Sequence, residues 1–110
     1  MPTTYKILGQ TNPTTASVQT DLYTVPASTS VVCSTLNIAN LTTLSGSFRI
    51  AVIPSGSSLQ LKNYLAYDTP LPSNDSIALT IGMTLGQFDK IQVYASSVSQ
   101  SFNLFGTEIT

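Results

Sequence analysis

The chain has 110 residues, a net charge of −1 and a hydrophobic share of 42%, yet only 8% of its residues are charged, against about 25% in an average soluble protein. It has no His and a single Cys, which removes imidazole acid–base chemistry, the common Ser and Cys triads and the usual zinc sites. Its four basic residues, Lys6, Arg49, Lys62 and Lys90, are scattered, so no electrostatic footprint for nucleic acid or anionic lipid exists.

Hydroxyl residues take the place of the missing charges. Fifteen Ser and sixteen Thr must lie mostly on the surface, because the apolar share already suffices for a core. Short hydroxyl side chains lose little rotamer entropy on burial and carry no ionic desolvation cost, so such a surface suits contact. Charge normally keeps free monomers apart, and its scarcity predicts a chain that lives in an assembly; the competing reading is a small neutral monomer. The N-terminal stretch Met1 to Leu8 lacks the apolar core of a secretory signal, which predicts synthesis and retention in a cytoplasm. Cys33 sits inside an apolar run and reads as a small buried side chain.

In chain order, Tyr5 to Gly9 is a short apolar strand, followed by a loop at Asn12-Pro13. Val18 to Val25 is a second strand, placed at a sheet edge by Pro26. Ser30 to Asn40 is a β-branched run, with Val32, Leu36 and Ile38 expected on one face and Val31, Cys33, Thr35 and Asn37 on the other. The turn after it carries Leu41 and Leu44, expected to pack across an open end of the fold. Ser47 to Pro54 is the candidate central strand: Phe48, Ile50 and Val52 share one face and Arg49, Ala51 and Ile53 the other, so both faces need a cover. One cover is an opposing sheet; the other is a loop or a neighbouring subunit.

After a flexible Ser-Gly-Ser-Ser connection, Leu59 to Asn63 reads as a turn of helix and Tyr64 to Asp68 as a strand. Thr69 to Asp75 is a proline-fixed loop. Ser76 to Gly82 alternates cleanly, with Ile77, Leu79 and Ile81 inward. Gly86 turns the chain, Lys90 to Ala95 places Ile91, Val93 and Ala95 on one face, and Ser101 to Ile109 sets Phe102 and Leu104 opposite Asn103 and Phe105. Eight short strands without an amphipathic helix predict an all-β protein: one antiparallel β-sandwich or jelly-roll-like domain over 1–110 with a short N-terminal arm. A closed barrel is the competitor.

The remaining chemistry is thin. Asp68 and Asp75 flank the proline loop and match, at most, a carboxylate pair for a glycosidase or calcium; loop hydrogen bonding explains both. Asn40-Leu41-Thr42 and Asn74-Asp75-Ser76 fit the glycosylation sequon, a pattern that a Ser/Thr-rich chain produces by chance. Arg49, flanked by Phe and Ile, must be paired, at an interface, or lying along the sheet with its head in water. Tyr64, Tyr67 and Tyr94 either form a sugar-binding patch or are half-buried packing. No cofactor, metal or catalytic residue is expected.

Taken together, Leu22-Tyr23-Thr24-Val25-Pro26-Ala27, Phe48-Arg49-Ile50-Ala51-Val52, Tyr64-Leu65-Ala66-Tyr67-Asp68, Val93-Tyr94-Ala95-Ser96 and Leu104-Phe105-Gly106-Thr107-Glu108 resemble, in that order, small structural proteins of tailed bacteriophages. The resemblance spans nearly the whole chain and implies a virion component assembled in a host cytoplasm, with no catalytic residue. The resulting expectation is a cement or decoration protein, a homotrimer that bridges the major capsid protein, with Tyr5, Ile7, Leu8, Arg49, Ile53, Tyr64 and Tyr67 at the contacts. Tyr5 to Gly9 could add as a strand to a neighbour's sheet. The alternatives are a tail, baseplate or fibre component, a carbohydrate-binding adhesin, and last an enzyme using Asp68 and Asp75.

Overall fold

Period-two alternation over most of the chain produces eight strands in the computed structural model, which describes residues 2–110. They are β1 (Thr3–Thr11), β2 (Gln19–Thr24), β3 (Ser30–Asn40), β4 (Gly46–Ile53), β5 (Tyr64–Leu71), β6 (Ser76–Leu85), β7 (Lys90–Ala95) and β8 (Gln100–Ile109). All pair antiparallel, in one sheet ordered β1-β8-β3-β6 and a second ordered β2-β7-β4-β5. Every connection except β4–β5 passes from one sheet to the other, which makes the sandwich a jelly roll of two Greek keys. The barrel is excluded.

The connections gather at two ends. At one, Leu41 N–H donates to Ser99 O and Asn74 N–H to Thr42 O, while Asn12 Nδ2 donates to the carbonyls of Val98 and Gln100. At the other, Val25 and Phe88 exchange backbone bonds with Asp89 and Val25, and Asp89 accepts from the amides of Ser55 and Gly86. Short polar side chains satisfy the loop amides that no ladder reaches.

β4 is central in its sheet, as its apolar pattern predicts, between β7 and β5. Phe48 and Ile50 join the core from one face. Ala51 and Ile53 are 0% and 1% exposed within the single chain, so the second cover belongs to this chain: the connection whose 3-10 turn Leu61–Asn63 lies against β4. β7 and β8 also follow their patterns, with Ile91, Val93, Ala95, Phe102 and Leu104 all buried. Ile77 and Leu79 of β6 pack against the core; the side chain of Ile81 lies outside the described residues.

Four expectations change. In β3, Val31, Cys33, Leu36 and Ile38 are all fully buried while Val32 is exposed. A register shift between Cys33 and Thr35 against both neighbours exchanges the two faces, as a bulge must. The proline loop begins later than expected, because β5 runs through Pro70 to Leu71; β5 is an edge strand, where a missing N–H costs no ladder bond. The N-terminal segment is no arm here, since Thr3 to Thr11 pair along β8.

The fourth concerns Leu41 and Leu44, which are exposed rather than packed across the open end. Buried Asn40 does that work: its Nδ2 donates to Leu44 O at 2.9 Å and Leu71 O at 3.2 Å, and its Oδ1 accepts from Thr42 N. An amide can close a strand end that is lined with carbonyls, and a Leu side chain cannot.

The two sheets are also joined by a hydrogen bond to a carboxylate that is paired within its own sheet. Tyr23 Oη on β2 donates to Glu108 Oε2 on β8 at 2.6 Å, and Lys6 Nζ on β1 donates to Oε1 at 3.2 Å. Those bonds, Tyr23 first, hold the Glu108 carboxyl below the ordinary glutamate range, while burial and the Glu108 bond push the Tyr23 hydroxyl up. A depressed folded pKa means stability that is present above the unfolded value and lost as pH falls through the folded one. Thermal unfolding against pH is therefore expected to show an acid loss that is shallower in Glu108→Gln; identical curves would mean that this contact does not contribute.

Candidate interaction surfaces

The two carboxylates Asp68, within β5, and Asp75, in the β5–β6 connection, have structural partners. Arg49 holds Asp68, and Asp75 Oδ1 accepts from its neighbour Ser76 N at 2.8 Å. Among the described residues no group of three or more His, Cys, Asp or Glu is placed to hold a metal ion, and no helix is long and apolar enough to cross a membrane. Cys33 is fully buried, and burial raises its thiol to about 11, so it is a packing residue in chemistry as well as position. What the fold presents is surface.

On the outer face of the second sheet, the sequence-predicted Arg49, Tyr64, Tyr67 and Tyr94 meet. Tyr94 stands directly opposite Arg49 across the β4–β7 ladder. On the other side β5 bulges: Phe48 pairs with Thr69 and Ile50 with Ala66, so Tyr67 and Asp68 together face Arg49. Asp68 takes φ 50°, a left-handed conformation that costs a non-glycine residue strain and turns its carboxylate toward the guanidinium. Nε donates to Oδ1 at 2.6 Å and Nη2 to Oδ2 at 3.2 Å. The guanidinium carbon lies 4.1 Å from the ring centres of both Tyr67 and Tyr94, and Tyr64 meets Tyr67 edge-on at 4.8 Å.

A planar cation between two aromatic faces, with a carboxylate in its fork, is a neutral and self-satisfied unit. The hydrogen bond holds the Asp68 carboxyl low and the Arg49 guanidinium high. Lys has no fork and no plane to stack, so Arg49→Lys is expected to lower Tm; a Tm equal to the parent's would reduce the stack to coincidental proximity.

The outer face of the first sheet gathers a second set. Tyr5 is 83% exposed and Ile7 51% on β1, Val32 40% on β3 and Phe105 36% on β8. Tyr5 and Ile7 are among the contact residues expected from the sequence; Val32 and Phe105 are not. Phe105 was legible, since it opposes Phe102 and Leu104 in the alternation; Val32 was hidden by the β3 bulge. The other two named residues, Leu8 and Ile53, are buried in the chain's own interior and offer nothing to a partner. At the end of the sandwich, a shallow depression is lined by Gln10, Asn12 and Asn103, but these amides are engaged with one another and with nearby carbonyls.

No protein-family model matches this sequence, and no curated protein matches it. Among solved structures, a chain in the structure of infectious bursal disease virus, Gx strain, superposes with a TM-score of 0.53 at 11% identity, covering 97% of this chain and 30% of that one. A chain in the structure of the Gt strain of the same virus gives a TM-score of 0.49, again at 11% identity, over 96% of this chain and 31% of that one. This chain thus spans under a third of the length of those it resembles. At that identity the likeness is one of fold alone.

Proposed function

We propose that the chain is a virion structural protein, a capsid cement or decoration protein of a tailed bacteriophage that acts through symmetric contacts with copies of itself and with the major capsid protein. The observation that carries the reading is the strand order. Jelly rolls serve viral capsids, lectins and cupins, and this chain has no His for a cupin-type metal site. Its one aromatic–arginine cluster is already satisfied internally, which weakens the lectin reading. A charge-poor, hydroxyl-rich surface suits the many repeated weak contacts of a shell.

The test is copy number per purified virion, by quantitative mass spectrometry against the major capsid protein. Hundreds of copies support a cement or decoration role. A few, or a few dozen, move the chain to tail, neck or baseplate, and absence from virions overturns the reading. A glycan-binding adhesin is the second reading, supported by one observation: the ring of Tyr67 stays half exposed although its cluster is satisfied internally. It predicts saturable glycan binding that Tyr67→Ala abolishes.

A further inference from the structure

Among the described residues, the outer face of the first sheet carries no charged side chain. Of the nine charged residues, Lys6 and Glu108 lie in strands of this sheet, but both turn to its inner side, where Glu108 accepts from Tyr23 of the other sheet and from Lys6. The face is instead built from cross-strand rows that run unbroken over all four strands. One row is Tyr5, Thr107, Val32 and Thr84; beside it, Ile7 pairs with Phe105. The outer face of the second sheet differs, since it displays Asp21, Arg49 and Asp68.

We infer that this uncharged face is where a second copy of the chain docks, sheet against sheet about a twofold axis. A twofold contact brings each surface against itself, so a face without charged side chains has neither like-charge repulsion nor ionic desolvation to overcome. Four strands spaced about 4.8 Å apart, each of 9 to 11 residues at about 3.3 Å, give a face of roughly 600 Å² in projection. A specific interface needs about 800 Å² of accessible surface per partner, which only the whole face, with the relief of its side chains, can supply, as in the aligned stacking of two sheets.

Pairing through strand edges is blocked on all four edge strands. β1 has the inward-turned Lys6 and a bulge between Ile7 and Gly9, β2 a bulge between Asp21 and Tyr23, and β6 the irregular stretch opposite Cys33–Thr35. β5 has the Asp68 bulge and Pro70. These are the features by which sheets resist edge-to-edge addition, so the N-terminal strand is not an added strand for a neighbour. The face is left as the route of self-contact, and its geometry favours two copies over three.

The inference deepens the self-association within the proposed function, but it is read on the purified chain without particles, so its failure leaves the virion copy number free to stand. Sedimentation equilibrium of the parent, from micromolar to near-millimolar concentration, is expected to give twice the monomer mass. The double variant Tyr5→Lys, Val32→Lys is expected to give the monomer mass with an unchanged circular dichroism spectrum. Thr84→Lys with Thr107→Lys repeats the test should the first variant misfold, and Gln92→Lys on the other sheet is expected to remain paired. A monomeric or trimeric parent overturns the inference, as does a double variant that stays paired or a Gln92→Lys protein that separates.

Discussion

Phe102→Ala is expected to lower stability by about 4 kcal/mol, the cost of removing a fully buried aromatic and leaving a cavity behind. Phe102 is 0% exposed and lies on β8, a central strand, opposite Ile38 on one side and Thr11 on the other. Ile38 cannot move far into the vacated space without breaking the two ladders of β3, nor Thr11 without breaking the one that ties β1 to the sheet. Set against a typical total of about 5–15 kcal/mol for a domain, that loss removes a large share of the folded state and shifts Tm by about 20 °C. Urea titration of parent and variant measures it. A loss below about 1 kcal/mol would mean that the core between the sheets is not packed around this ring.

Gly106→Ala is expected to cost about 2–3 kcal/mol for a single added methyl group, through overpacking rather than a cavity. Gly106 pairs with Lys6 on β1 and Cys33 on β3, beside the level at which both neighbours bulge. A Cβ there would press on the Val32 carbonyl oxygen and come within 2.9 Å of Leu8 Cδ1 and 3.0 Å of Cys33 Cα. Two of these three atoms are backbone in a central ladder and cannot yield cheaply. Gly82→Ala is the control: it has φ +43° and nothing within 4 Å, so it meets open space and only conformational strain, about 1 kcal/mol. If the two substitutions cost the same by denaturant unfolding, close approach at Gly106 is not what selects glycine there.

Much of the fold is legible from local pattern. Lys90 to Ala95 and Ser30 to Asn40 are strands with the boundaries their alternation marks, β2 is an edge as Pro26 indicates, and β4 is central because both of its faces are apolar. The contacting residues are legible only in part. Arg49 reads as a residue that needs a partner, and the tyrosines as a possible group, yet nothing in the sequence says that β5 bulges at Asp68 to bring them together. Val32 is the clearest miss. Its alternation with Leu36 and Ile38 places it inward, and the bulge two residues later sends it out to the surface.

By itself, then, the sequence determines that the chain is an all-β domain with a hydroxyl-rich, charge-poor surface, because alternation, composition and turn residues act within a few neighbours and need no long-range partner to be read. The tertiary structure alone decides the pairing order of the strands, the bulges that exchange faces along β3 and β5, the bonding of Asp68 to Arg49, and the turning of Lys6 and Glu108 inward to leave one sheet face uncharged. Each of those depends on which distant strand lies alongside and in what register, a choice set by the packing of two whole sheets that no local stretch of residues encodes.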